Sequence, residues 1–382
     1  MQITSPAFDE QEILMIKQCL DSGWVTQGPM TRQFEELFQQ QHQVKYALAT
    51  TSCTAGLHLA AMALQLEPGD EVIVPAFTWV TSAHCAEYVG AKVVFADVER
   101  DTFNIDPVAL EAAITPKTKA VVVVHLFGLA APMTEILAIA HKYNLAIIED
   151  AACAVGTTYN GKPVGGLGDI GCFSFHPRKV ITTGEGGMVT TNNPELAEKL
   201  KVLRNHGASP NPDVEATKPY YMGRFDHLGY NLRFTDIQAA IGIAQMQKLN
   251  QLLSERINLA KQYNLYLEGI ADIALPIIPH LCGHSYQSYV IRIMAGGVNR
   301  RNAIMEAMAA DGIQTRPGTH AVHRLGYYQN KYNLKAEQYP NAADAEDLSI
   351  TLPIFPGMNE SDQQLVINSL KAGLQKYSAI SP

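Results

Sequence analysis

The apolar positions of this chain follow two rhythms. Short runs that are apolar on both faces, Val72-Ile-Val74, Val121-Val-Val-Val124 and Ile147-Ile148, are spaced among longer stretches of helical periodicity. Strands apolar on both faces belong to a sheet covered on both sides by helices. The pattern predicts a helix over 8–22, a strand over 46–49, a helix over 54–66 and a strand over 71–75 after the turn Glu67-Pro-Gly-Asp70. It continues with a helix over 79–89, a strand over 92–96, a helix over 107–114 and a strand over 120–125. A helix over 133–143 and a strand over 146–149 follow. Such alternation predicts an α/β fold with a doubly wound, mostly parallel sheet, whose ligands bind at the carboxyl ends of its strands.

The pattern changes after Thr235. Residues 236–269 read as one long helix with Gly242 as a mild interruption, of the kind that bridges two domains. A strand over 288–293, a helix over 300–311, a loop rich in Gly, His and Pro, and a helix over 361–376 complete the chain. The expected division is a large α/β domain with an N-terminal arm, residues 1–249, and a smaller α+β domain, residues 250–382.

Composition narrows the function classes. With 382 residues, 47% of them hydrophobic and 17% charged, the chain can bury a sizeable core. A net charge of −8 without like-charge runs argues against nucleic acid or an anionic membrane as partner, though a local basic pocket is compatible with it. No apolar run is long enough to cross a bilayer. The start, Met1-Gln-Ile-Thr-Ser-Pro6, has no basic region followed by an apolar core, so no secretory leader is expected. Cys19, Cys53, Cys85, Cys153, Cys172 and Cys282 include no C-x-x-C pair, and no metal site is expected. They read as reduced thiols of a cytoplasmic protein.

The chemistry is concentrated in two stretches. Gly171-Cys-Phe-Ser-Phe-His-Pro-Arg-Lys-Val-Ile-Thr-Thr-Gly-Glu-Gly-Gly-Met188 reads as a strand ending in Ser174, a lysine on a loop, and a glycine-rich turn. Leu145-Ala-Ile-Ile-Glu-Asp-Ala-Ala152 ends an apolar strand in an acid. A lysine that forms an imine and an acid that holds a pyridinium nitrogen are the two groups that pyridoxal 5'-phosphate (PLP) chemistry requires of a protein. Lys179 and Asp150 are the candidates. The plainer alternatives are a surface lysine and an N-cap. Ala49-Thr-Thr-Ser-Cys-Thr-Ala-Gly56 joins a strand to a helix, a natural anion site, although helix capping alone also explains its hydroxyls. Ser174 can add a hydroxyl to the same phosphate. Trp79, at a strand end after Val74-Pro-Ala-Phe-Thr78, can stack on the pyridine ring or pack in the core.

Together these segments resemble the DegT/DnrJ/StrS family of PLP-dependent sugar aminotransferases. The likeness runs through Gly23-Trp-Val-Thr-Gln-Gly-Pro29, Val72-Ile-Val-Pro-Ala-Phe-Thr-Trp79, Val124-His-Leu-Phe-Gly128, Glu149-Asp-Ala-Ala152 and Phe173-Ser-Phe-His-Pro-Arg-Lys179. It continues in Thr183-Gly-Glu-Gly-Gly187, Arg204-Asn-His-Gly207 and Gly229-Tyr-Asn-Leu-Arg-Phe-Thr-Asp236. The resemblance implies a fold-type-I transferase and a homodimer with shared active sites. It implies that Lys179 forms the Schiff base, Asp150 pairs with the pyridine nitrogen, and Trp79 stacks on the ring. Thr54, Ala55 and Ser174 match phosphate-binding positions. Asn231 matches the residue that reaches the phosphate from the partner subunit, with Arg233 a second candidate.

Two segments depart from the family's pattern. Cys153 stands where Gln or His is usual, and a thiol is a weaker donor toward the cofactor. Arg316-Pro-Gly-Thr-His-Ala-Val-His323 carries Arg316, His320 and His323 where a Tyr-Pro and a single His are common. That basic loop would suit a nucleotide diphosphate, or it is a polar surface loop. The expected reaction passes an amino group from an amino acid, glutamate foremost, to a keto sugar nucleotide, with PLP and pyridoxamine 5'-phosphate (PMP) alternating. The product would serve polysaccharide, lipopolysaccharide or glycosylated-metabolite synthesis. The rivals are a PMP-dependent sugar dehydratase, which Lys179 opposes because those relatives carry His there, an aminotransferase for a cyclitol or other non-nucleotide ketone, and a non-catalytic PLP-binding regulator.

Overall fold

The computed structural model describes residues 1–209 and 222–378. The last four residues of the expected C-terminal domain, 379–382, lie outside them. The arm leads into α1 (Glu10–Ser22), which opens on a reciprocal cap between Asp9 and Glu12 and ends on the left-handed Gly23. Helix α2 (Pro29–His42) follows, with proline in its first turn and Phe34, Phe38 and His42 on its buried face. Then come β1 (Tyr46–Thr50), α3 (Cys53–Ala63), β2 (Glu71–Pro75), β3 (Phe77–Thr78), α4 (Thr81–Tyr88) and β4 (Lys92–Ala96). Next are α5 (Pro107–Ala112), β5 (Thr118–Val124), α6 (Met133–Tyr143), β6 (Ala146–Asp150), β7 (Thr158–Tyr159) and β8 (Lys162–Pro163). Strands β9 (Ile170–Ser174) and β10 (Gly187–Thr191) and helix α7 (Pro194–Arg204) complete this part.

Seven strands form one sheet in the order β1-β10-β9-β6-β5-β2-β4, with β10 antiparallel to both neighbours and the other pairings parallel. Consecutive apolar residues point to opposite faces. Val72, Val74, Val122, Ile148 and Cys172 join one buried cluster, and Ile73, Val121, Val123, Ile147 and Phe173 join the other. This is the two-sided burial that the apolar runs predicted. Register places the chemistry on one edge: Asp150 lies opposite Val124 and Cys172, and Gly187 lies opposite Ser174 and Thr50.

The long helix predicted over 236–269 is two helices, α8 (Asp236–Gln247) and α9 (Leu249–Leu267). The break falls at Lys248, whose ammonium turns to Asp9 and Glu12 at 2.8 and 2.7 Å. Gly242 lies inside α8, and its lack of a side chain makes room for the Phe34 ring, 2.8 Å from where a Cβ would stand. Leu249 and Leu252 of α9 pack into the core under the large sheet, whereas Leu259, Tyr263 and Leu267 pack into a third core. That core includes β11 (Ile273–Ala274), β12 (Tyr289–Ile293), α10 (Gly297–Ala310), part of β14 (Ser349–Leu352) and α13 (Glu360–Lys376). Between α10 and β14 run β13 (His320–Ala321), α11 (Gly326–Tyr332) and α12 (Pro340–Leu348).

Strand β13 pairs with β3, His320 opposite Thr78 and Ala321 opposite Phe77. This pairing holds 77–78 extended, so the helix predicted from 79 begins at Thr81 and Trp79 sits in the connection. Among the described residues no helix is long and apolar enough to cross a membrane.

Candidate active site

A cavity of about 340 Å³ opens at the carboxyl edge of the sheet. Thr54, Trp79, Asp150, Cys153, Ser174 and Lys179 line it, each from a different strand end or loop, and Arg316 reaches it from the C-terminal part of the chain. Its floor is Asp150, the last residue of β6 and only 3% exposed. The carboxylate accepts a hydrogen bond from Ser82 Oγ at 2.6 Å and one from the Ala152 N–H at 3.1 Å. Ser82 Oγ is in turn 2.9 Å from Thr78 Oγ1. Burial raises the Asp150 pKa, and the Ser82 hydrogen bond opposes the rise. No cation forms a salt bridge with this carboxylate among the described residues. A buried acid of this kind fits a protonated ring nitrogen.

The opposite pole is the start of α3. Ser52 caps it, its Oγ accepting from the Ala55 N–H at 3.1 Å. The Ala55 N–H is therefore already engaged, and the Cys53 and Thr54 N–H groups are the ones left facing the cavity without an acceptor among the described residues. With Ser174 beside them they suit a phosphate. Gly187 has a steric cause here: a Cβ on it would lie 2.5 Å from the Ser52 carbonyl carbon and 2.6 Å from the Cys53 nitrogen. Only glycine lets β10 approach the helix start so closely.

Lys179 Nζ points into the cavity and donates to Cys153 Sγ at 3.1 Å. Trp79, 55% exposed, has its ring 5.6 Å from that of His320. Hydroxyls and free N–H groups at a helix start, an amine, an aromatic and a buried acid thus share one cavity, a donor set that fits PLP.

Beneath Asp150, His125 and Glu149 are fully buried 2.9 Å apart. His125 Nδ1 accepts from the Ala131 N–H at 3.1 Å, so Nε2 carries the hydrogen and donates to Glu149. Glu149 also accepts from the N–H groups of Gly165, Leu167 and Gly168. Burial pushes its pKa up, but the His125 and backbone hydrogen bonds outweigh this and hold it low. The pair fixes the end of β6 and so the position of Asp150.

Other sequence candidates fall elsewhere. His323 does not face the cavity: it is buried, its Nε2 3.0 Å from the Ala336 carbonyl oxygen and its ring edge-on to Tyr339. The short helical turn Val322–Arg324 directs it inward, which corrects its expected substrate contact. His320 is exposed and outside the cavity lining, facing Trp79 and 3.8 Å from Glu346. It too is placed beside the site rather than in it. Asn231 is exposed and pairs with Asn205, away from this chain's own cavity. Arg233 donates to Asn205 Oδ1 at 2.7 Å and lines a second hollow with Gly28, Arg32 and Glu35. Sequence reasoning missed Ser82, which no motif spacing marks, and Arg178 and Gln287, which line the main cavity. Arg178 stood in the motif beside Lys179, and its charge was the available signal.

Comparison with known proteins agrees with this geometry. Residues 6–371 match the profile of the DegT/DnrJ/EryC1/StrS aminotransferase family. The chain is 38% identical over 371 residues to the spore coat polysaccharide biosynthesis protein SpsC of Bacillus subtilis, spanning 96% of this chain and 95% of that protein. It is similar to the putative sugar aminotransferase Spr1654 from Streptococcus pneumoniae in its PMP form, with a TM-score of 0.94 and 28% identity over 99% of this chain and 100% of that one. The PLP form of the same protein gives 0.92. Helicobacter pylori PseC, an aminotransferase of pseudoaminic acid biosynthesis, gives 0.91 and 28% identity over 98% of this chain and 99% of that one.

Proposed function

The chain belongs to the DegT/DnrJ/EryC1/StrS aminotransferase family, and from that premise we propose that it moves an amino group from an amino acid, glutamate foremost, to a keto sugar nucleotide. It is a PLP-dependent aminotransferase of the fold-type-I class. When bound, PLP supplies an aldehyde that condenses with amines and a ring that accepts electrons from the carbon being transaminated.

This chain's residues divide the remaining work. Lys179 Nζ carries the covalent attachment and, when free, moves a proton to and from the reacting carbon. Asp150 keeps a proton on the ring nitrogen. Its burial makes that task favourable, because an unpaired buried carboxylate costs more than one paired with a cation. Thr54 and Ser174 seat the phosphate at the α3 terminus, through the free N–H of Thr54 and the two hydroxyls, while the N–H of Ala55, the third position of the family match, stays with Ser52 Oγ. Trp79 covers the ring. Cys153, beside Lys179, sets a weak contact where the family places a stronger donor.

Asn231 lies away from this chain's own cavity, and with the family match this supports reading the enzyme as a homodimer in which Asn231 serves the partner's site. Exposed Trp24, Phe225 and Leu228, on segments flanking Asn231 and the second hollow, supply an apolar surface for that contact. All six cysteines are free, which supports a reducing, cytoplasmic setting. The relationship to SpsC and PseC favours a sugar acceptor destined for a polysaccharide or related glycan.

The observation that carries the reading is the convergence of Lys179, Asp150 and the α3 terminus on one cavity. The test is incubation with glutamate and a panel of nucleotide keto sugars, followed by mass spectrometry. A product with an amine in place of the ketone oxygen supports it. Amination of cyclitol ketones alone would move the enzyme to the rival substrate class.

A further inference from the structure

One group on the wall of the main cavity has no task that requires its chemistry. Neither the cofactor linkage at Lys179 nor the ring contact at Asp150 needs a thiol at position 153. Yet Cys153 Sγ accepts a hydrogen bond from Lys179 Nζ at 3.1 Å. Both residues stand on pinned backbone. The Lys179 N–H donates to the His176 carbonyl at 2.8 Å, and Gln287 Nε2 donates to the adjoining Arg178 carbonyl at 2.8 Å. Next to Cys153, the Ala154 N–H donates to the Ala151 carbonyl at 2.8 Å, and the Cys153 carbonyl accepts from Ser285 Oγ at 3.4 Å. Sulfur and amine are thus held together in a cavity of about 340 Å³, roomy enough for a small solute. Cys153 is half-buried, whereas Cys53, Cys85 and Cys172 are buried. A thiol that a solute can reach, with an amine in contact with it, is a place where oxidation can be followed by capture of the oxidised sulfur.

Two groups could make that capture. Cys53 lines the same cavity and would give a disulfide. It is poorly suited, because burial pushes its thiol well above the usual range and a thiol attacks as its thiolate. Lys179 already touches the sulfur, and its flexible four-carbon stem lets the nitrogen close on it. We propose that hydroperoxides join Cys153 to Lys179 through a sulfur–nitrogen bond whenever Lys179 is not linked to the cofactor, a reversible modification that withdraws the reacting amine. In the first step the sulfur attacks one oxygen of hydrogen peroxide, the O–O bond breaks and water leaves. Cys153 becomes a sulfenic acid, oxidised by two electrons, and the peroxide is reduced. In the second step the Lys179 nitrogen attacks the sulfur, the S–O bond breaks, and the hydroxyl leaves as water with one amine proton. The linked protein lacks one hydrogen from the thiol and one from the amine. An added thiol reverses it by attacking the Cys153 sulfur and releasing the amine, and a second thiol frees Cys153 by exchange. Lys179 is free in the cofactor-free and PMP-loaded protein and occupied in the PLP-loaded one. Control by the cofactor's state therefore rests on the transamination reading above, whereas the linkage itself does not.

The test exposes the full chain to hydrogen peroxide in three states, cofactor-free, PMP-loaded and PLP-loaded, and reads intact mass and linked peptides by mass spectrometry. The first two are expected to lose two hydrogens, with the loss mapping to peptides joined at Cys153 and Lys179, and to regain them with dithiothreitol. The PLP-loaded protein is expected to keep its visible band and to give no linked peptides at the same dose. Cys153→Ser and Cys153→Gln, which retain Lys179, are expected to give none in any state. A sulfinic or sulfonic acid at Cys153 without the linked pair, or a disulfide from Cys153 to Cys53, would overturn the assignment. The same linkage in PLP-loaded protein that shows the visible band would overturn control by the cofactor. A protein that takes up no PLP would instead refute the transamination reading, and its cofactor-free state would still decide the linkage.

Discussion

Replacing Asp150 by Asn should have opposite effects on stability and on catalysis. The side chain is buried, and the amide keeps its shape: its oxygen can accept from the Ala152 N–H, while its NH2 can donate to Ser82 Oγ if that hydroxyl turns its own hydrogen to Thr78 Oγ1. In the cofactor-free protein, burial raises the carboxyl pKa above its ordinary 3.8. The fold therefore favours the protonated acid. That contribution is fully present below the ordinary value and is lost as pH rises through the raised one. Asn carries no such penalty. Cofactor-free Asp150→Asn is expected to melt at or above the temperature of the unaltered protein at pH 8, with the gap closing as pH falls toward 4. With PLP the order reverses. The amide cannot hold a proton on the ring nitrogen, and losing a hydrogen bond between charged groups costs about 1.5–3 kcal/mol, or ~10- to 150-fold in cofactor affinity. Turnover should fall by ~10²–10³, the range for loss of one preorganised electrostatic contact. Thermal melts of both forms across pH, with the rate of the glutamate half-reaction, make the comparison. Near-normal turnover, or a cofactor-free variant that is destabilised at pH 8, would refute the reasoning.

Ser82→Ala removes the hydrogen bond that holds the Asp150 pKa down, so the acid limb of the pH–rate profile should move to higher pH; an unmoved limb would show that Ser82 does not act through Asp150. Gly187→Ala would drive a Cβ to 2.5 Å from the Ser52 backbone, with an expected loss of about 1–3 kcal/mol in denaturant unfolding and weaker PLP retention. Unchanged stability would mean that α3 can retreat at no cost. Asn231→Ala and Lys179→Ala should each be nearly inactive, and mixing them should restore activity in dimers that hold one intact site. No recovery in any mixture would count against a shared site.

The sheet was legible because its strands are apolar on both faces, a pattern that surface strands do not share. Asp150, Ser174 and Thr54 could be placed on one edge from sequence because each ends a strand or begins a helix where a parallel sheet binds ligands, and Lys179 because its loop follows such a strand; the cavity brings the four together. What sequence could not show was set by tertiary contacts. The break at Lys248 depends on Asp9 and Glu12, far away in the chain. The late start of α4 depends on pairing with β13, and Ser82 matters only because α4 brings it under Asp150. His323 shows the converse error: a basic residue in a polar-looking loop whose short helical turn packs it against Tyr339. Helices α2 and α7, not assigned from the pattern, both open on a proline in the first turn, a signal that was present and unused.

The most direct test of the central claim is the absorption spectrum of the PLP-loaded protein before and after glutamate, with Lys179→Ala alongside. The account predicts a visible band from the cofactor–lysine linkage that shifts to the shorter wavelength of the PMP form on adding glutamate, and a variant that holds PLP without that band. An unchanged band in Lys179→Ala would assign the linkage to another lysine. A protein that binds no PLP would contradict the account at its root.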